Sequence, residues 1–348
     1  MAVNAGLAHL SDTAFTTAIA VYGLALVSYC GEYAFGRSGR VARTSAEQAP
    51  VAELVAVGAV SGGTAPPGAG VRSVRAGSRD AVVAEQSAAR LAGRFGWSAA
   101  VLTTLGVILH AGSVAIRGVA VDRVPWGNMY EFSSAVGLVA VLAFLVVILR
   151  QPRVRYLGMF VMLPVILLMF LAGTVLYTKA APLVPALRSY WLAIHVTAAI
   201  IATGIFMVSF VATVLYLIRH RYDSMVAVGI TPGRFPITLG RRLPEAGVLD
   251  RIAYRTIAFG FPVWTFGIAA GAMWAEAAWG RYWGWDPKET WSFISWVVYA
   301  SYLHARATAG WKGVKAARIS LFGFSSMIFN FFVVNIMVSG LHSYAGLS

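Results

Sequence analysis

Apolar runs about as long as a bilayer is thick alternate along this chain with short breaks that carry most of its basic residues. Inside a bilayer the backbone finds no water, so such runs must satisfy their own hydrogen bonds, as helices do. Eight spans are predicted, at Thr13–Phe35, Trp97–Ile116, Met129–Leu149, Leu157–Tyr177, Tyr190–Ile218, Thr256–Ala275, Pro287–Ala305 and Ile319–Gly340. The expected fold is all-α, a polytopic membrane helix bundle of about eight transmembrane helices. The stretch Gly36–Gly93 differs in kind, being rich in Ala, Gly, Ser and Arg, with Pro66-Pro67 near its centre and no sustained apolar period. That composition cannot bury a core and reads as a disordered loop. The organisation expected is a first transmembrane helix over 1–35, a disordered basic loop over 36–95, and a seven-helix membrane domain over 96–348.

Composition agrees, with 58% hydrophobic and only 12% charged residues and a mean hydropathy of +0.70. Soluble domains carry roughly 25% charge. A net charge of +14 would suit nucleic acid, but the basic residues sit in the breaks between spans, so membrane lipid is the expected partner and nucleic acid is not. Assigning successive breaks to alternate sides puts 22 of the 28 Lys and Arg on one side and 6 on the other. The positive-inside tendency makes the richer side cytoplasmic, with loop 36–95 there and both termini extracytoplasmic. The expectation is a multi-pass protein of the cell (plasma, inner) membrane. Met1–Thr17 has no basic n-region and includes Asp12, so no cleaved leader is expected. One cysteine, Cys30, permits neither an internal disulfide nor a CxxC redox pair.

The break between the sixth and seventh spans, on the extracytoplasmic side, is the most unusual segment. Over 274–291 it holds Trp274, Trp279, Trp283, Trp285 and Trp291, interleaved with Gly280 and Gly284. An interfacial aromatic belt is one account of them. A belt needs only one or two rings per helix end, whereas rings on a glycine-bearing turn also suit a platform for a flat apolar ligand. Asp286, Pro287 and Glu289 form the pattern of a capping box with proline at the first helical position, so a helix is predicted to start at Pro287 and to hold the loop rigidly.

Trp279-Gly-Arg-Tyr-Trp-Gly-Trp-Asp-Pro-Lys-Glu-Thr-Trp291 resembles the WWD signature of haem-handling proteins in cytochrome c biogenesis. The continuation through Tyr302-Leu-His-Ala-Arg306 is similar to the CcsA/ResC branch of the system II synthetase, named CcsB in some lineages. Pro125-Trp-Gly-Asn-Met-Tyr-Glu-Phe132 resembles that family's short external motif. The resemblance covers about Ile116–Ser348. It implies haem b as the bound substrate, a ResB-type membrane subunit and apocytochrome c as partners, and a role as the haem-presenting subunit of a cytochrome c haem lyase complex. The reaction so implied joins haem vinyl groups to the cysteines of a CxxCH segment. No acid–base pair or nucleophile of the chain's own is evident.

Six histidines are present. His195, just inside the fifth span, and His342, just past the eighth, fall on the same side as the tryptophan loop. Each alone reads as a hydrogen-bonded interface residue rather than a ligand; together they could offer two axial imidazoles to haem iron, and the resemblance implies that they do. His304 lies about 26 Å along the helix from Pro287, deep in the membrane, where an ionisable side chain is a functional hypothesis by default. Ala300 and Ser301, one turn earlier, leave room beside it. The resemblance makes His304 the intramembrane ligand. Trp279, Trp283, Trp285 and Trp291 are the candidate platform, with Asp286 as helix cap beside it. Arg281, Lys288 and Arg188 are candidates to pair with propionates. His110 is a candidate packed contact, while His220 and His9 carry no signal. The alternatives are a haem exporter or chaperone without synthetase activity, or an unrelated transporter. A transporter would place carboxylates mid-span, and none of the fourteen falls there.

Overall fold

The computed structural model describes residues 3–36, 72–182, 187, 189–308 and 311–342. Among these every regular element is helical. Eight long helices follow in chain order: α1 (Ala5–Phe35), α2 (Arg72–Val121), α3 (Met129–Arg150), α4 (Gly158–Thr174), α5 (Tyr190–Ala227), α6 (Ala246–Trp279), α7 (Pro287–Ala307) and α8 (Val314–Phe329). A 3-10 turn, Pro152–Leu157, leads into α4, and α8 runs on through a π turn at Asn330–Val334. Polar side chains set the starts: Asn4, Asn128 and Ser189 accept the N–H groups of Leu7, Glu131 and Trp191.

Seven of these helices are long and apolar enough to cross a membrane, making the chain a multi-pass helix bundle. The predicted seventh span coincides with α7, which is not among the seven. Its 21 residues suffice for a crossing, at about 31 Å, but Lys288, Glu289, His304 and Arg306 dilute its apolarity. The expected loop at 36–95 is shortened, since α2 begins at Arg72. That part is rich in Ala and Arg, both good helix formers, and joins the apolar span without a proline. Residues 37–71 of the expected loop, and Arg188, lie outside the described residues.

α1 packs along α2, and α5 along α6, while α3 bridges the two pairs through α4 and α5. α7 and α8 form a hairpin closed against α5 and α6. Phe206 of α5 stacks on Tyr299 of α7 at 4.1 Å, inside the main core. Charged side chains near the helix ends are paired, as in Arg155–Glu32 (2.7 Å) at one end and Arg123–Glu131 (2.8 Å) at the other. The breaks therefore join the framework through ion pairs at both ends of the bundle. One of those ends carries the tryptophan loop.

Candidate functional site

The loop is held by its own turn chemistry. Gly280 ends α6 in the left-handed region, at φ 71°, a conformation that costs glycine nothing. The chain then crosses to Asp286, where Glu289 accepts the backbone N–H groups of Gly284 (2.8 Å) and Asp286 (3.1 Å). The predicted capping box is thus formed. Trp285 sits at φ 59°, an uncommon conformation for so bulky a residue.

Asp286 does more than cap. Its carboxylate accepts the Leu341 N–H at 2.8 Å and His342 Nδ1–H at 2.7 Å, so it ties the segment after α8 onto the loop. A Cβ at Gly340 would come within 2.7 Å of Asp286 Oδ1, which is why glycine stands at that close approach. Burial pushes the His342 imidazole below its ordinary pKa despite the carboxylate beside it. Burial would raise Asp286, but the bonds from His342 and Leu341 hold it below the usual carboxylate value. The pair is a neutral imidazole donating to a carboxylate, with the lone pair on Nε2.

His195 reaches the same tautomer by another route. Its Nδ1 donates to the carbonyl of Gly267 on α6 at 2.7 Å. A Cβ at Gly271 would meet that imidazole at 2.7 Å, so glycine one turn on opens the slot it enters. Trp274 continues that face of α6, is 2% exposed, and lies nearly parallel to His195 with centroids 6.1 Å apart. Its edge meets His342 at 5.6 Å, and Trp279 meets His342 at 5.0 Å. One buried indole therefore stands beside both imidazoles. The sequence reading did not single out Trp274 as a site residue, although its spacing from Gly267 and Gly271 places all three on one helical face.

His195, His342, Trp274, Trp279, Trp283 and Lys288 line one cavity of about 200 Å³, together with Trp126 and Trp264. The Lys288 ammonium donates to Asn335 Oδ1. Among the described residues, four buried side-chain atoms of lining residues have no hydrogen-bond partner: Trp126 Nε1, Trp264 Nε1, Glu289 Oε1 and Asn330 Oδ1. A purely hydrocarbon ligand would leave all four unsatisfied, at a cost of about 1–3 kcal/mol each.

Other expected residues fall elsewhere. Trp285 is 65% exposed and stands perpendicular to Trp283 at 5.7 Å, outside the cavity wall. Trp291 packs on Phe329 at 4.2 Å and clasps α7 to α8. The Arg281 guanidinium folds over Gly284 rather than lining the cavity. His304 is exposed at the far end of α7 and shares a separate shallow hollow with Ala300, Ser301 and Trp311. His110 is fully buried, between Tyr22 OH (3.4 Å) and Ser134 Oγ (3.0 Å).

A family model described as "Cytochrome C assembly protein" matches residues 126–342. That match begins at Trp126 and ends at His342, the first and last cavity residues in chain order. Proteins named "Cytochrome c biogenesis protein CcsA" are similar over most of the chain. The one from Gloeobacter violaceus is 35% identical over 291 residues, 71% of this chain and 86% of that protein. Those from Guillardia theta and Porphyra purpurea are each 34% identical, covering 73% and 72% of this chain and 86% and 88% of theirs.

Proposed function

The chain belongs to the cytochrome c assembly protein family, and on that premise we propose that it binds haem b in the membrane, moves it to the extracytoplasmic face and presents it on the tryptophan loop. Attachment there is to the CxxCH segment of an apocytochrome c, with a ResB-type membrane subunit as partner. The loop and both termini face the exterior of the plasma membrane, and 36–95 faces the cytoplasm, in keeping with the 22 to 6 distribution of basic residues.

One observation carries the reading: two imidazoles, each with Nδ1 bonded to an acceptor of this chain, stand in one indole-lined cavity. Neutral imidazole with Nε2 available for the metal is the form that binds haem iron, and a hydrogen bond on Nδ1 orients it. Asp286 and the Gly267 carbonyl supply those bonds. The cavity, about 200 Å³, is smaller than the roughly 300–1,000 Å³ that swallows a drug-sized ligand. A macrocycle held there would stand partly outside it, as vinyl groups awaiting a cysteine must. The addition places a cysteine S–H across a vinyl double bond and needs no further reactant. The chain's part is to position the haem and keep its iron six-coordinate. His304 is the lower station, from which haem passes outward.

The test is an absorption spectrum of the full chain purified with its partner, which should show low-spin bis-imidazole bands when reduced. His195→Ala and His342→Ala should each block holocytochrome formation, and added imidazole should restore part of it. Colourless protein from haem-replete cells, or full activity in either variant without imidazole, overturns the reading.

A further inference from the structure

The motif Pro125–Phe132 lies between α2 and α3, far in sequence from the tryptophan loop. The turn Val124–Asn128 is fastened from behind. Glu131 Oε2 accepts the Gly127 N–H at 2.9 Å, while Asn128 Oδ1 accepts the Glu131 N–H at 2.9 Å. The same carboxylate is gripped by Arg117 (3.2 Å) and by Arg123 on both oxygens (2.8 and 3.2 Å). Arg117 and Glu131 are 2% and 3% exposed, so this is a buried, paired charge cluster, of the kind that fixes geometry more than it stabilises. On the front of the turn, Trp126 lines the cavity with its Nε1–H buried and unpartnered.

An indole N–H is a donor only. On a haem the pyrrole nitrogens are bound to iron and the rim carries methyl and vinyl groups, so the propionates are its only peripheral acceptors. Trp264 Nε1 is also unpartnered, but it lies ten residues, or about 15 Å, along α6 from Trp274 towards the membrane interior, where a carboxylate is costly. Trp126 sits in the turn just before α3 and lines the same cavity as Trp279 and Trp283 of the tryptophan loop.

We infer that Trp126 Nε1–H donates to a haem propionate, and that Glu131, through Arg117, Arg123 and Gly127, is the positioning residue that aims it. This rests on the haem-presenting role proposed above. The experiment is a Soret-band titration of the full chain in detergent with two probes. One is haem; the other is iron etioporphyrin, whose rim carries alkyl groups only. Trp126→Phe keeps the ring and removes the donor, and it should weaken haem binding about tenfold or more, as for a hydrogen bond to a charged group, while leaving iron etioporphyrin binding unchanged. Glu131→Gln should lower the same preference for haem, and should lower it no further in the Trp126→Phe background. Equal losses for both probes, or undiminished haem binding in Trp126→Phe, overturn the assignment and leave the haem site standing. An independent, additive effect of Glu131→Gln overturns its positioning role. If the unaltered chain binds neither probe, the presenting role itself fails and this inference with it. Should Glu131→Gln not fold, Trp126→Phe alone decides the donor.

Discussion

The two ends of α7 carry histidine sites built on opposite plans. At its start the imidazoles are enclosed and pre-oriented: His342 by Asp286, His195 by the Gly267 carbonyl, with Trp274 beside both. Near its end His304 is exposed, in a shallow hollow of small residues and Trp311. Among the described residues its ring makes no hydrogen bond, and its backbone carbonyl accepts from Thr308. The first site needs nothing from outside the chain to hold its side chains in place. The second is more open, lined by the end of α7 together with Trp311 and, on α8, Ile319. Under the proposed function, the enclosed site suits holding haem in one orientation and the open one suits its entry.

That contrast can be broken most directly by removing an enclosed imidazole. His342→Ala should cut haem at the outer site by more than about a hundredfold, since even losing a ligand's hydrogen-bond partner typically costs 10–100-fold. His304→Ala should leave outer-site affinity for added haem unchanged while lowering haem loaded in cells. Difference spectra of the two variants decide; equal losses at the outer site would mean that the stations are one. Next in size is Asp286→Asn, which keeps an acceptor for the Leu341 N–H but no longer holds the imidazole as a carboxylate does. Haem affinity should fall by about 10–100-fold, and imidazole should rescue it poorly because His342 is still present. Unchanged affinity would reduce Asp286 to a helix cap.

Smaller effects separate the indoles. Trp274→Leu removes the ring beside both imidazoles, and an aromatic contact adds about 0.5–1.5 kcal/mol beyond burial. A three- to tenfold weakening of haem binding is expected, read by titration at matched protein abundance. Trp283→Ala should weaken outer haem by a similar factor, whereas Trp285→Ala, outside the cavity wall, should change it by less than about twofold. If Trp285→Ala is the more damaging, the loop turns its other face to the haem.

Local sequence determined a good deal here. Hydrogen bonds that must close within a bilayer make long apolar runs helical, so the bundle and the places of its helices were legible, with Met129, Tyr190 and Pro287 as starts. Capping is also local, and Asp286 with Glu289 formed the predicted box. The start of α2 was not legible, because Arg72–Gly93 has helix-forming residues but no apolar period to announce them. Placing His195, His342 and the loop at one end followed from counting spans, since an even number of crossings returns the chain to the same side. Which tryptophans face inward did not follow. A run of indoles on a seven-residue turn has no period, and the left-handed Gly280 and Trp285 decide which rings enter the cavity. So Trp283 lines it, Trp285 leaves it, and Trp291 packs on Phe329. Tertiary structure alone brought Asp286 to His342, 56 residues apart, and Trp126 to one cavity with Trp283, 157 residues apart. Contacts between such distant groups exist only once the helices that carry them have packed.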